Sequence, residues 1–211
     1  HIMGLVRIDR PQIEQMDNVK RLNLVNSCTG YKSANLIGTI SNSGKTNVAV
    51  FSTVTHLGSD PALVGIIIRP SFKPRNTYAN IKEYGYFSVN HIYSDIIEEA
   101  HQSSANYGPD ESEFDHTNLE AVHHGGCPIP FVKGSPVKLL CKYSSEYLIK
   151  ENGCMHIIAS IEAIFYEEEL LDKEHHLQLD KGKVVTISGL KSYALPQVLK
   201  EFPKALVPKV K

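Results

Sequence analysis

Ser43-Gly44-Lys45-Thr46 follows an apolar run, and that order is how the phosphate-binding loop of a nucleotide hydrolase ends. The spacing refuses this reading. Such a loop needs a glycine, four residues, then Gly-Lys-Ser/Thr opening a helix, whereas Gly38 stands one residue too far upstream and Thr39 fills the place of the first glycine. Val48, Val50, Thr53, Val54 and Thr55 downstream are β-branched, which favours a pleated strand over a helix. Asn42-Ser43-Gly44-Lys45 is therefore read as a hairpin turn, with Gly44 supplying positive φ.

The histidines invite metal chemistry next. His123-His124-Gly125-Gly126-Cys127 holds two imidazoles and a thiol, and His175-His176 offers a second pair. Neighbouring residues on a strand point to opposite faces, so adjacent histidines do not share a metal without distortion, and neither H-E-x-x-H nor a helical i, i+4 pair occurs. No metal site is expected. Cys28, Cys127, Cys141 and Cys154 are far apart and form no C-x-x-C, so they are read as reduced, structural thiols. No nucleophile, acid or base forms a convincing catalytic group, so no catalytic residue is expected.

The chain of 211 residues carries a net charge of -1 with both signs mixed, so a nucleic-acid partner is not expected. The basic tail, Lys200, Lys204, Lys209 and Lys211 among Pro203 and Pro208, lacks a continuous charge block. No run approaches membrane-spanning length and no charged-then-apolar leader precedes the body, so a cytoplasmic protein without a membrane partner is expected. His1-Ile2-Met3 reads as the remnant of an expression tag.

These groups need elements to hold them. Pro11 to Leu24 has apolar residues three apart at Ile13, Met16, Val19 and Leu22, which predicts an amphipathic helix. Strands are expected on both sides of the Gly44 turn, then over A-L-V-G-I-I-I-R after Asp60-Pro61. A short helix capped by Asn76 or Thr77 and ended by Gly85 should follow, then the strand G-Y-F-S-V-N-H-I. Tyr93 to Gln102 reads as a helix capped by Ser94, and Ser103 to Gly134 as loops with one short helix over Glu113 to Val122. Strands P-V-K-L-L-C-K-Y and C-M-H-I-I-A-S-I-E-A-I-F-Y close the pattern, with V-V-T-I as a further one. Many strands, few short helices and no β-helix-β rhythm predict a mainly β (α+β) barrel. No G-x-G-x-x-G occurs, so no dinucleotide-binding domain covers it. From Ala34 to Asn90, strands edged by Asn, Ser, Thr and Arg make a slot with an apolar wall and a polar phosphate end, which suits a flavin.

The order of N-V-A-V-F-S-T-V-T, D-P-A-L-V, R-N-T-Y-A-N-I and G-Y-F-S-V-N-H, then A-H-Q-S-S-A-N-Y and S-E-F-D-H-T-N-L, resembles the flavin reductase-like family of FMN-binding split β-barrels over roughly Ala34 to Tyr166. The resemblance implies a Greek-key split β-barrel with short peripheral helices, spanning 34–195. It would be flanked by a helical lead-in at 4–33 and a C-terminal tail at 196–211 that docks a homodimer. It further implies FMN as cofactor, with FAD an admissible substitute, and NADH or NADPH as a transient co-substrate. Asn47, Val48, Ala49 and Val50 would line the ring edge, and Ser52 and Thr53 would give hydroxyls to the ribityl chain or ring. Arg75, Asn76 and Thr77 would take the phosphate as a charged fork beside a helix N-terminus, with Arg69 and Asn90 at strand ends as helpers. His56 and Gly58 stand where the family places small hydroxyl residues.

Each of these residues also has a plain structural reading. Asn47 and Ser52 could be ordinary strand-end groups, Arg75-Asn76-Thr77 a helix cap, and Asn90 a partner for barrel main chain. The implied activity is an NAD(P)H-dependent flavin reductase; the alternative is a flavoredoxin-like electron carrier without nicotinamide chemistry of its own.

Overall fold

The computed structural model describes residues 4–69, 76–105, 107–108 and 110–208, the side chain of Asn76 excepted. The apolar spacing of Pro11 to Leu24 makes helix in two pieces, α1 (Arg10–Gln15) and α2 (Asn18–Cys28), instead of the single helix expected. Asp17 is the reason. Its carboxylate accepts from the N–H groups of Val19 and Lys20 at 3.1 and 3.2 Å, so the chain leaves α1 through extended Met16 and restarts as a capped helix. Neither helix buries a residue, and Val19 and Leu22 are 62% and 46% exposed. Among the described residues nothing buries the apolar stripe, of which only Ile13 and Met16 are partly covered.

After β1 (Lys32–Ser33), the hairpin of β2 (Asn35–Ile40) and β3 (Thr46–Phe51) closes through Gly44 at φ +85°, whose N–H donates to Ser41 O at 2.9 Å. The chain continues through β4 (Val54–Ser59), β5 (Ala62–Ile68), α3 (Asn76–Tyr84) and β6 (Tyr86–His91). Gly85, at φ +81°, ends α3 by donating its N–H to Ile81 O at 2.9 Å. A 3-10 turn and α4 (Ile97–Gln102) replace the single helix expected from Tyr93, and Ser94 spends its hydroxyl on the neighbouring Asp95 carboxylate instead of capping. The helix expected over Glu113 to Val122 is only α5 (Glu113–His116), because Ala121 and Val122 pair as β7 (Ala121–Val122) with β8 (Phe131–Val132). The long strands β9 (Val137–Ile149) and β10 (Cys154–Tyr166) follow, and β11 (Thr186–Ser188) pairs with β1 on one side and β12 (Ser192–Ala194) on the other.

Seven strands form one antiparallel sheet in the order β3-β2-β6-β9-β10-β5-β4. Its two edge strands, β3 and β4, are consecutive in the chain and joined by Ser52 and Thr53 alone, so the sheet must roll until its edges meet there. Two register shifts between β9 and β10 supply the curvature. The result is a split β-barrel with short peripheral helices. Its inner face packs Ile37, Ile66, Phe87, Val89, Cys141 and Ile157, and its outer face buries Leu36 and Val48 under Ile92, Ala100, Leu119 and Val132. Alternation along each strand decides which residues go in and which go out. All four cysteines are free, and burial pushes the Cys141 thiol up to about 12. Among the described residues no helix is long and apolar enough to cross a membrane.

Candidate functional site

At the free edge of β3, Asn47 is buried, and its amide joins two elements distant in sequence. Its Oδ1 accepts from Thr77 Oγ1 at 3.1 Å and its Nδ2 donates to the Glu113 carboxylate at 3.0 Å. The same carboxylate accepts from the Val48 N–H at 3.2 Å. One turn further along α3, Asn80 Nδ2 donates to Thr39 Oγ1 at 3.0 Å, so two buried polar bonds seat the start of this helix on the hairpin. Burial raises the Glu113 carboxyl above its ordinary 4.5, and this outweighs the main-chain hydrogen bonds that favour its charge.

The edge has further donors. The Val48 N–H points away from β2 to reach Glu113, and N–H direction alternates in an antiparallel strand, so the Val50 N–H also faces the open side. Val48 and Val50 sit on the outer face of the sheet with Leu36, whereas Ala49 shares the side of Asn47 with Ile37. Ser52 and Thr53 occupy the seam where the sheet closes; Thr53 Oγ1 donates to Ile67 O at 2.7 Å, and Ser52 is half-buried. Arg69 directly follows β5 and is exposed. Arg75 and the side chain of Asn76 lie outside the described residues, and only the backbone of Asn76 is fixed, as the first residue of α3.

Asn90 lies elsewhere. It is fully buried on β6, its Nδ2 donates to Leu36 O at 3.0 Å and Ser88 Oγ at 2.9 Å, and its Oδ1 accepts from the Val132 N–H at 2.9 Å. This amide pins β8 over the outer face of the sheet, in keeping with the structural reading of that residue. Of the eleven residues singled out from the sequence, the structure joins Asn47 directly to Thr77, and Val48 to both through Glu113. Glu113 carries no functional signal in the sequence, because it reaches β3 from 65 residues away. His123 Nδ1 lies 3.1 Å from Ile129 O, and no group of three or more side chains able to hold a metal is found among the described residues.

A strand edge whose Val50 N–H faces outward, the Ser52 hydroxyl at the seam and an adjoining helix start form a donor set suited to a flat ring with acceptor atoms and an anionic tail. A split barrel with such an edge defines a class of flavin-binding barrels. The chain belongs to the flavin reductase-like family, whose flavin reductase-like domain matches residues 31–188. The structure is similar to that of a flavin reductase-type protein with a split barrel domain from Shewanella frigidimarina, at 36% identity and a TM-score of 0.91, covering 95% of this chain and 100% of that one. It shares its fold with nitrilotriacetate monooxygenase component B from Bacillus cereus, at 18% identity and a TM-score of 0.82, covering 95% and 100%. In sequence it is 34% identical over 107 residues to the uncharacterized protein YwrF of Bacillus subtilis, covering 50% of this chain and 52% of YwrF. The matched stretch therefore spans about half the length of that relative. Family membership and the split barrel together support a flavin-binding, reductase-type role.

Proposed function

We propose that the protein is an NAD(P)H-dependent oxidoreductase that holds FMN against the free edge of β3. The observation that carries this reading is the buried Thr77–Asn47 bond, which brings the ring-lining strand and the first turn of α3 to one place. In this reading Asn47 to Val50 line the ring, and the outward Val50 N–H serves its acceptor edge. Ser52 and Thr53 flank it at the seam, and Arg75, Asn76 and the start of α3 take the phosphate. The flavin supplies the redox chemistry, taking up hydride and passing electrons on, so the chain needs no acid–base pair of its own. Its own contribution is orientation and a fixed set of dipoles. Asn90 has no part in this, since its amide is spent within the fold.

The molecule is proposed to act as a homodimer. Leu199, Phe202, Leu206 and Val207 on the tail are 88%, 76%, 83% and 91% exposed, and the stripe of α2 is bare as well, more apolar surface than a monomer leaves open. Anaerobic mixing of the FMN-loaded protein with NADH or NADPH tests the activity through the visible flavin band. Rapid bleaching is expected. A protein that binds FMN and is not bleached by either nucleotide loses the nicotinamide chemistry and becomes the electron carrier; one that binds neither FMN nor FAD loses the whole reading.

A further inference from the structure

On the outer face of the sheet the fold buries a lysine without giving it an acid. Lys138, on β9, is 8% exposed, the only buried lysine among the described residues, and no carboxylate there lies within ion-pair reach of its amine. Its one hydrogen-bond partner among those residues is His124 Nε2 at 3.2 Å. An ammonium only donates, so Nε2 accepts and the imidazole carries its hydrogen on Nδ1. His124 is held in place by rings: it stacks on Phe165 at 4.9 Å and leans on Phe131 at 5.0 Å. Burial pulls the Lys138 amine below its ordinary value, with the charge of Glu167 opposing.

A buried cation with no ion-pair contact among the described residues is costly, and the fold keeps this one on the wall of a cavity of about 530 Å³. Ser135, Ile164, Phe165 and Glu167 share that wall with His124 and Lys138. We propose that this cavity binds a small monocarboxylate with an apolar or aromatic body, the carboxylate on Lys138 Nζ and the body against Phe165, which lies directly opposite Lys138 on the neighbouring strand. Two observations select a single charge. One ammonium, with no arginine fork, suits a monoanion, and Glu167 on the same wall repels a second negative charge.

The site stands apart from the strand edge proposed for FMN. Val50 lies opposite Leu36, Leu36 opposite Asn90 and Asn90 opposite Lys138, three strand spacings or roughly 14 Å along the sheet. The proposal therefore does not rest on the flavin reading.

Benzoate titrated into the flavin-loaded protein, followed by backbone amide NMR, is the test. Saturable shifts are expected at Ser135, Phe165 and Tyr166. Benzamide, which has the same shape without the charge, should bind at least about tenfold more weakly, as should benzoate to Lys138→Met, and inorganic phosphate should not compete. The FMN affinity of Lys138→Met should match that of the native protein. No saturable shifts, equal binding of benzamide, equal binding by a folded Lys138→Met, or shifts centred on Asn47 would each overturn the proposal; the benzamide comparison holds even where the variant fails to fold.

Discussion

Asn47 and Asn90 are both asparagines on strands of one sheet, both buried, and both singled out through the family resemblance as flavin contacts; the structure gives them opposite situations. Asn90 lies in the middle of the sheet and serves fixed partners, two of them main-chain groups of Leu36 and Val132. Asn47 lies on the edge strand and serves side chains, Thr77 and Glu113, that arrive from separate helices. A partner that is main chain of the same barrel cannot move without unfolding it. Side chains on two short helices can re-pair when a ligand arrives. Accessibility of the partner network, more than the identity of the amide, separates a staple from a site.

The sharpest way to break this contrast is to remove each amide in turn. Asn90→Ala removes three buried hydrogen bonds and leaves the buried Val132 N–H without its partner, and urea unfolding is expected to show a loss of about 4 kcal/mol, with FMN affinity of the folded fraction unchanged. Asn47→Ala should cost less stability, since its partners lie near the edge, but weaken FMN binding about tenfold. The contrast fails if the two variants lose FMN affinity equally.

Next in size is the strand end beside Asn90. His91 is half-buried with its Nδ1 shut away from solvent and without a partner among the described residues, and desolvation lowers its pKa from 6.5 to about 4. As pH falls, the unfolded chain takes up this proton first, so the stability contributed by neutral His91 is complete above about 6.5 and drains away toward pH 4. The total is on the order of 3 kcal/mol. Comparing urea midpoints of the native protein and His91→Phe at several pH values isolates it. A native profile no steeper between pH 6.5 and 4 than that of His91→Phe would remove His91 as an acid-sensitive point.

Much of the scaffold is written locally. β-branched runs around Gly44 announce a hairpin, and Gly85 announces the end of a helix, because in each case the instruction and its effect lie within a few residues. The break at Asp17 was equally local but hidden by an apolar spacing that continued across it. The site is legible by residue type and not by connection. Asn47 and Thr77 stand 30 residues apart, and nothing in either segment says that they meet. Glu113 and Lys138 are less visible still: a glutamate in a polar loop and a lysine in a strand look solvated until a distant strand edge or a histidine covers them. Chemistry created by long-range burial leaves no trace in spacing.

The smallest expected effect is also the one that separates the two corners most cleanly, because its sign is reversed. The Glu113 carboxyl is raised above 4.5, so the native protein keeps this proton to higher pH than the unfolded chain does. Its contribution to stability is complete below that value and falls as pH rises through the window above it, opposite to the trend at His91. Glu113→Gln retains an acceptor for the Val48 N–H and should flatten that part of the profile. The same variant carries a second readout that His91→Phe lacks. A charged carboxylate on the edge competes for the N–H of Val48 and repels an anionic ligand, so FMN affinity at the β3 edge should strengthen as pH falls and Glu113 protonates. In Glu113→Gln the affinity should be higher throughout that window and its pH dependence lost. A native FMN affinity that tracks His91 instead, or that ignores both groups, would place the flavin away from this edge while leaving the barrel and its Asn90 staple as they stand.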